Sequence, residues 1–188
     1  RVQRKRLEGV AKFSSVPRSV TMESISITGM DGLWITPKKN DNNHVILYLH
    51  GGAYNMGSMT VSNAVAAHLG ISAKAKVLQV NYRKAPEYPY PAALDDAKRA
   101  YHWLLVNGYP AKSICIAGDS AGGGLALATA IALRDEGVAL PYCMCVFSPW
   151  TDLALTGDTM NDSMNDPMFT FKIPWLKQMA HNYIQSSD

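Results

Sequence analysis

Long apolar stretches are absent from the sequence, and cysteine is scarce. No run approaches the roughly 18 consecutive apolar residues of a membrane-spanning helix, and the first residues lack the apolar stretch of a signal peptide. The three cysteines, Cys115, Cys143 and Cys145, each lie in an apolar run typical of a strand. Cys143 and Cys145 alternate onto one strand face, so we expect small, reduced core residues rather than a disulfide. These features favour a cytoplasmic protein without integral membrane contact.

A strong charge of one sign is also missing, because the 188 residues carry a formal net charge of +3. Basic residues concentrate in Arg1–Arg6, which leaves nucleic acid or anionic lipid as one interpretation of that segment. A solvated helix end is the favoured interpretation, since no aromatic residues are interleaved among those charges. We therefore expect no nucleic-acid partner. The chain length and an apolar content of 47% predict one domain with a substantial core.

Strands and helices alternate along most of the chain, which predicts an α/β fold with a mostly parallel sheet and helices on both faces. The N-terminal part differs, because two short strands joined through Gly29–Gly32 suggest an antiparallel hairpin at one sheet edge. The predicted strands are Glu23–Gly29, Leu33–Thr36, Val45–His50, Lys76–Tyr82, a run from Ile114, and Tyr142–Ser148. The predicted helices are the end of a polar helix in residues 1–13, Ser62–Ala73, Ala92–Val106, a segment ending at Gly137, and residues 174–185.

One stretch, Ile114–Leu127, joins an apolar strand to a helix through a glycine turn and reads ICIAGDSAGGGLAL. Within it, Gly118–Gly122 fits G-x-S-x-G, the pattern of a nucleophile elbow, in which a serine lies exposed on a strained turn. Ser120 is therefore the candidate nucleophile for acyl transfer. A structural alternative makes Ser120 only the N-cap of the helix. A dinucleotide-binding turn is excluded by spacing, because these glycines do not form G-x-G-x-x-G.

A second loop of small residues, His50-Gly51-Gly52-Ala53, follows the predicted strand that ends at His50. Acyl transfer generates an oxyanion, which needs preorganised backbone N–H donors. A loop of this kind can supply them together with the N–H of Ala121, the residue after the nucleophile. His50 itself could act as a general base, but a structural role in holding the loop by hydrogen bonds is favoured.

The third stretch, Tyr82–Glu87, reads YRKAPE and would by itself be a charged turn in which Arg83 and Glu87 form an ion pair. Together the three stretches resemble the hormone-sensitive-lipase family of α/β-hydrolases, the bacterial carboxylesterase and lipase group. The family's HGGG, YRLAPE and GDSAGG motifs stand here as HGGA, YRKAPE and GDSAGG. Ser148–Asp152 and Asp166–Met168 match two further family stretches. The order is kept over almost all of residues 25–185.

The resemblance implies an α/β-hydrolase fold with a serine nucleophile and a backbone oxyanion hole. Carried over residue by residue, it makes Ser120 the nucleophile. It places the oxyanion donors among Gly51, Gly52, Ala53 and Ala121. Ala53 replaces the family's third glycine, which a backbone donor tolerates if the local dihedral angles suit alanine.

The resemblance also implies partners and domain organisation. The expected substrate is a small-molecule ester with a short acyl chain, no metal or cofactor is implied, and a homodimer is compatible with the sequence. Residues 1–24 are expected to be an N-terminal segment or cap remnant. Residues 25–188 are expected to form an α/β-hydrolase domain that is incomplete at its C-terminus.

The general base and its orienting acid have no clear candidate, although this fold needs both in the chain order Ser, Asp or Glu, His. The family places them after two further strands, and the sequence ends before either. His181 is the only histidine after Ser120, so it could formally complete a triad, but its helical stretch does not present it from a strand-end loop. The aspartates open to that alternative are Asp152, Asp158, Asp162 and Asp166. Asp152 is expected instead to fix the turn after its strand.

Two lines of reasoning therefore predict a fragment truncated after the sixth strand, with the catalytic Asp and His in a missing C-terminal segment. One is the missing base; the other is that the last strand would be an uncovered apolar edge. The main hypothesis is a carboxylic-ester hydrolase that forms an acyl-enzyme on a serine. The alternatives are a receptor-like, non-catalytic ligand-binding protein on the same scaffold, and an inactive truncated product. Tyr54, Met56 and Met59 are expected either to line the pocket or to pack in the core.

Overall fold

The computed structural model describes residues 15–41, 43–160 and 173–185, and within them six strands form one sheet. The strands are β1 (Val20–Ile27), β2 (Met30–Pro37), β3 (Val45–Leu49), β4 (Lys76–Val80), β5 (Ile114–Asp119) and β6 (Cys143–Phe147). The helices are α1 (Met59–Ala73), α2 (Ala92–Val106), α3 (Ala121–Asp135) and α4 (Ile173–Ile184), with short 3₁₀ turns at Ala111–Ser113 and Asp158–Met160. None of the helices in these ranges is long and apolar enough to cross a bilayer.

The sheet has the order β1-β2-β4-β3-β5-β6. β4, β3, β5 and β6 run parallel, whereas β1 pairs antiparallel with β2 and β2 pairs antiparallel with β4. The predicted α/β architecture with an antiparallel hairpin at the N-terminal edge is confirmed. The central parallel strands are short apolar runs because both of their faces are buried, and all five residues of β3 are buried.

The hairpin between β1 and β2 is tighter than the sequence indicated. We predicted a turn over Gly29–Gly32, but Ile27 pairs directly with Met30, so the turn residues are Thr28 and Gly29. Both have positive φ, 47° and 86°, as a two-residue turn that matches the strand twist requires. Met30 consequently belongs to β2 and is buried.

Helices cover both faces of the sheet, as predicted. On one face, α2 and α3 pack against β3, β4 and β5, with Ala97, Tyr101, Leu104 and Leu125 fully buried among the strand residues. On the other face, Ala66 and Ala67 of α1 lie against residues of β2, β3 and β4. Burial of apolar surface on both faces is the main stabilising contribution, at about 25 cal/mol per Å².

The sheet register determines where chain segments meet. β3 and β5 are parallel neighbours, and Leu49 at the end of β3 is the partner of Gly118 near the end of β5. The loop after β3 and the turn after β5 therefore leave the sheet at the same edge, side by side. This is the edge at which open α/β sheets bind ligands.

The burial of the cysteines and the start of the sheet differ from the sequence-based expectations. Cys143 is exposed, and Cys115 and Cys145 are half-buried, so the expectation of core cysteines was wrong for Cys143. The reason is that β6 is the last strand of the described sheet and pairs only with β5. β1 begins at Val20, so the sheet includes residues before the predicted domain start at 25. The predicted helix in residues 1–13, the Arg1–Arg6 cluster and the stretch Asp166–Met168 lie outside the described residues.

Candidate active site

Ser120 lies alone between β5 and α3, on a strained turn. Its backbone has φ 52° and ψ −122°, outside the regions that residues with a side chain normally occupy. Its N–H donates to the carbonyl of Phe147 at 2.9 Å, and its own carbonyl accepts from the N–H of Trp150 at 2.8 Å. Strain of this kind persists only where the surrounding structure holds it, and such strain clusters at functional sites.

The Ser120 side chain is exposed and makes no capping hydrogen bond to α3. An N-cap serine would direct its oxygen to the N–H groups of the first helical turn. The structural alternative for this residue is therefore not supported, and the hydroxyl is available for reaction.

Gly118 and Gly122 permit the close contact between the elbow and the strand beside it. A Cβ built on Gly122 would lie against the backbone carbonyls of Leu49 and His50, and one on Gly118 would lie against the carbonyls of Gly122 and Leu49. Backbone atoms cannot move aside as a flexible side chain can. The two glycines are thus required for steric reasons, as the elbow motif implies.

The loop after β3 turns back sharply through residues with positive φ. Gly52 has φ 130°, and Ala53 and Tyr54 have φ 52° and 58°. The N–H groups of Asn55 and Met56 both donate to the Gly52 carbonyl, at 3.0 and 2.8 Å. Ala53 thus adopts the left-handed conformation at a cost of roughly 1–2 kcal/mol that glycine would avoid.

The buried side chain of Asn55 anchors this loop to the last helix. Its amide donates to the carbonyl of Ala53 at 2.7 Å and to that of Met179 in α4 at 2.8 Å. Its carbonyl oxygen accepts from Asn182 at 2.9 Å. Sequence reasoning missed Asn55, because no local pattern links it to a helix more than 120 positions away.

The four predicted oxyanion donors are not equivalent. The N–H of Gly51 donates to Oδ1 of Asp119 at 2.9 Å. Within the described residues, the N–H groups of Gly52, Ala53 and Ala121 donate no hydrogen bond to protein. Gly51, Gly52 and Ala53 all line the cavity beside Ser120, and Ala121 is the first residue of α3, where helical N–H groups have no intrahelical partner. Three donors therefore remain free near the serine.

His50 is buried and holds the loop rather than facing outward as a base. It is 1% exposed, its Nδ1 lies 2.8 Å from the Gly51 carbonyl, and its ring stacks on Tyr82 with centroids 4.4 Å apart. The Tyr82 hydroxyl in turn donates to the His50 carbonyl at 2.6 Å. Burial, together with the nearby Lys84 charge, lowers the pKa of His50 to about 3. The imidazole is thus neutral, with Nδ1–H donating to the Gly51 carbonyl.

A cavity of about 690 Å³ opens beside Ser120. Its walls are mainly apolar and include Met56, Val61, Trp150, Leu155, Trp175 and Leu176. Of the three pocket candidates, Met56 lines this cavity, whereas Tyr54 is buried and stacks on Tyr183 with ring centroids 3.9 Å apart. Met59 is not among the cavity residues in the described part of the chain. An apolar cavity with a few convergent polar groups is typical of a small-molecule site.

The alternative triad through His181 has no geometric support. His181 is exposed on α4 and does not line the cavity, and His50 is the only histidine among the described residues that do. Asp152 accepts from the N–H groups of Ala154, Thr156 and Gly157, so it fixes its turn as predicted. These hydrogen bonds, led by the one from Thr156, lower the Asp152 pKa. Asp158 is exposed, and Asp162 and Asp166 lie outside the described residues.

Arg83 pairs with a carboxylate that sequence reasoning did not consider. Its backbone N–H donates to Oδ2 of Asp96 at 2.8 Å, and its Nε and Nη2 reach the same carboxylate at 2.9–3.1 Å. Asp96 is 2% exposed and lies on α2. The YRKAPE loop is therefore joined to α2 on the side of the sheet opposite α1. Among the described residues, no cluster of three His, Cys, Asp or Glu side chains could hold a metal ion.

Comparison with known proteins gives one consistent picture. Residues 46–188 match the family model for the α/β-hydrolase fold. An acetyl-hydrolase of Streptomyces hygroscopicus is 41% identical over 155 residues, covering 82% of this chain and 51% of the relative. An esterase of Acinetobacter venetianus is 34% identical over 142 residues, covering 76% of this chain and 46% of the relative.

Solved structures agree over nearly the whole chain. EstE5 superposes with a TM-score of 0.94 at 35% identity, covering 100% of this chain and 62% of that structure. An esterase from the bacterial hormone-sensitive lipase family superposes with a TM-score of 0.93 at 34% identity, covering 98% of this chain and 62% of that structure. The chain spans about half the length of the curated relatives it matches, and under two thirds of the solved structures.

Proposed function

Because the chain belongs to the α/β-hydrolase family, we propose that it carries the nucleophile and the oxyanion hole of a carboxylic-ester hydrolase. The observation that carries the proposal is Ser120 itself, held at φ 52° with its side chain exposed beside an apolar cavity. The names of the relatives, an acetyl-hydrolase and an esterase, point to the same chemistry.

The proposed reaction starts with attack of the Ser120 oxygen on the ester carbonyl, while the serine proton passes to a general base. The carbonyl electrons move to oxygen, and the N–H groups of Gly52, Ala53 and Ala121 stabilise the negative charge. Loss of one donor of this type costs about 2.7–4 kcal/mol of transition-state stabilisation. The alcohol leaves with the proton, and water then releases the acyl group by the reverse sequence.

Gly51 is the predicted donor that we exclude from this set. Its N–H already donates to Asp119, and a second, linear hydrogen bond from the same N–H to an oxyanion is geometrically unfavourable. The proposed hole therefore consists of three donors drawn from the four candidates.

The base and the orienting acid are proposed to lie outside residues 1–188, in the part of the relatives' length that this chain does not span. Among the described residues, the one histidine that lines the cavity is buried, neutral and engaged with the loop, which supports this placement. A hydrolase domain starting near residue 25, a cytoplasmic location and a homodimer stay predictions from the sequence.

A short acyl group is the proposed specificity, and the name acetyl-hydrolase of the Streptomyces hygroscopicus relative supports it. A cavity of about 690 Å³ lies within the usual range for sites that hold a small molecule. Its apolar walls favour an uncharged ester over a charged one, because an unpaired charge is costly to bury.

The test is hydrolysis of p-nitrophenyl acetate by the product of the complete reading frame and by the 188-residue chain. Ser120→Ala should lower kcat by at least about 10³-fold, because the nucleophile cannot be replaced in acyl transfer. Ser24→Ala is the matched control, since Ser24 is exposed on β1 away from the cavity. A fluorophosphonate should also label Ser120, read by peptide mass.

Two results would contradict the proposal. Absence of turnover by the complete protein, with retained binding of an apolar ester analogue, would favour the ligand-binding alternative. Equal turnover by the wild type and Ser120→Ala would move the chemistry to another residue. Turnover by the 188-residue chain that His181→Ala abolishes would instead overturn the placement of the base outside residues 1–188.

A further inference from the structure

Asp119, the residue before Ser120, joins the two halves of the site. Its Oδ1 accepts a hydrogen bond from the N–H of Gly51 at 2.9 Å and another from the hydroxyl of Tyr48 at 2.8 Å. Gly51 belongs to the loop after β3, and Tyr48 lies within β3 and is 1% exposed. One carboxylate oxygen at the end of β5 thus holds both the strand and the loop that follows it.

The fit between Asp119 and the loop is close. A Cβ built on Gly51 would lie against the Asp119 carboxyl group and the Asp119 carbonyl. The sheet register brings these residues together, since Tyr48 pairs with Ala117 and Leu49 with Gly118. Beyond Leu49 the strand ladder ends, so the Gly51 hydrogen bond is the next tie between the loop and the elbow.

This tie bears directly on the distance between nucleophile and oxyanion donors. Gly52 and Ala53 follow Gly51 through rigid peptide planes, and Ser120 follows Asp119 in the same way. The hydrogen bond from Gly51 to Asp119 therefore sets the two segments relative to each other. Misplacement by about 1 Å can cost roughly 10²-fold in rate when catalysis depends on such alignment.

We propose that Asp119 is a positioning residue whose carboxylate, oriented by the Tyr48 hydroxyl, aligns the Gly52 and Ala53 N–H groups with the hydroxyl of Ser120. The inference rests on the proposed esterase function and assigns no contact between Asp119 and the reacting atoms. Its role needs an acceptor oxygen and not a charge. A negative charge near an oxyanion would oppose its formation. The hydrogen bonds that the Asp119 carboxylate accepts from Gly51 and Tyr48 offset that effect.

The test uses the complete protein with the variants Asp119→Asn, Asp119→Ala and Tyr48→Phe. Asp119→Ala removes the acceptor, and we expect kcat to fall about 10- to 100-fold with KM changed less than about threefold. Asp119→Asn keeps an acceptor oxygen and should retain kcat within about threefold of the wild type. Tyr48→Phe should lower kcat by about three- to tenfold, because the Asp119 carboxylate loses the hydroxyl that orients it and keeps the N–H of Gly51 as a donor.

The matched control for Tyr48→Phe is Tyr101→Phe. Tyr101 is 0% exposed, and its hydroxyl donates to the Ala139 carbonyl at 2.7 Å, remote from the cavity. It should lose thermal stability to a similar degree and keep kcat. A boronic acid that mimics the tetrahedral intermediate supplies a second readout, since its affinity should fall in parallel with kcat across the series.

The outcomes separate the inference from the function on which it rests. Lack of wild-type turnover contradicts the esterase proposal itself. An active wild type combined with unchanged kcat in Asp119→Ala would overturn the positioning role. The positioning role is also overturned if kcat falls as much in Asp119→Asn as in Asp119→Ala. It is overturned as well if the variants lower the melting temperature but leave the affinity for the boronic acid unchanged. Rescue by Asn with parallel loss of boronate binding in Ala supports it.

Discussion

At the scale of single residues, His50 shows how burial decides the function of a titratable group. The imidazole is enclosed by Tyr82, Gly51 and Gly57, and water cannot solvate its charged form. Burial lowers its pKa to about 3 from the ordinary value of 6.5. A general base for ester hydrolysis needs a pKa near the working pH. Its position beside a nucleophile is therefore misleading, and its contribution is to hold the loop.

This shift has a consequence for stability that can be measured. Between about pH 6.5 and 3 the unfolded chain binds a proton at His50 and the folded chain does not, so the free energy of unfolding falls as the pH falls. The slope is about 1.4 kcal/mol per pH unit, with the full contribution present above about pH 6.5. Urea unfolding of the wild type at about pH 6.5 and 5 measures it.

The control compares slopes and not absolute stabilities. His50→Gln should flatten the dependence of the free energy of unfolding on pH below about pH 6.5. His102→Gln, an exposed change on α2, should leave that dependence intact. The NMR signals of the His50 ring should stay constant down to about pH 5. Movement of those signals above that pH would show that the ring is solvated.

Residues whose role is fixed by local geometry could be predicted from the sequence, and those fixed by distant partners could not. The elbow at Ser120 follows from glycine spacing within a few positions. The hydrogen bond from Tyr48 to Asp119 joins positions 71 apart, and no pattern near either residue in the sequence predicts it. The sequence likewise could not show that the N–H of Gly51 is already engaged, because this depends on the position of the Asp119 carboxylate in the fold.

At the scale of elements, the ion pair between Arg83 and Asp96 fixes the loop after β4 to α2. Asp96 is 2% exposed and Arg83 40% exposed, so the pair spans from the interior to solvent. Asp96 also contacts Arg99 one turn along its own helix. Removal of a buried partner is costly mainly because it leaves the other group without hydrogen bonds.

We expect Arg83→Ala to lower the free energy of unfolding by about 1–3 kcal/mol, because Asp96 keeps only Arg99 as a charged partner. Arg134→Ala is the control, since Arg134 is exposed on α3 and pairs only with its exposed neighbour Asp135 within the described structure. That change should cost less than about 0.5 kcal/mol. Denaturant midpoints at constant m-value provide the measurement, and equal losses in the two variants would contradict the expectation.

Element boundaries illustrate what amphipathic and turn patterns can and cannot define. The limits of α2, Ala92–Val106, were predicted as they stand, because its apolar stripe is clear and Pro91 and Asn107 bracket it. α1 begins at Met59, three residues before the predicted Ser62, and Ser58 at its N-terminus makes no side-chain capping hydrogen bond. The β1–β2 turn was misplaced because Thr28 adopts a positive φ, which is uncommon for a β-branched residue.

At the scale of the whole molecule, the two sides of the sheet differ in how well their strands are enclosed. β3 and β5 each have a strand on both sides, and their residues are largely buried. β6 pairs only with β5 in the described structure, and Met144 and Phe147 are 42% and 44% exposed. Local opening should therefore begin at β6 rather than at the centre.

Hydrogen exchange of the 188-residue chain measures this difference directly. We expect amides of β3 and β5 to exchange at least about tenfold more slowly than those of β6, since central strands open only with the whole domain. β1, at the opposite edge, is the internal comparison and should also exchange faster than β3. Protection of β6 equal to that of β5 would show that another surface covers it.

The fold class and the resemblance to the hormone-sensitive-lipase family could both be predicted from the sequence and are confirmed. They were accessible because the strand–helix rhythm and three motifs agree in order and spacing. The exposure of Cys143 could not be predicted, because the sequence of a strand shows its apolar face but not whether a neighbouring element covers that face.

The hydrogen bond between Gly51 and Asp119 also concerns how the protein is made. The two residues are 68 positions apart, and ribosomes add about 5–20 residues per second, so roughly 3–14 s of synthesis separate them. Throughout that interval the nascent His50 loop lacks its hydrogen bond to Asp119. The loop conformation that Asp119 holds can therefore form only after the elbow has left the exit tunnel. It is a late step relative to synthesis of the loop itself.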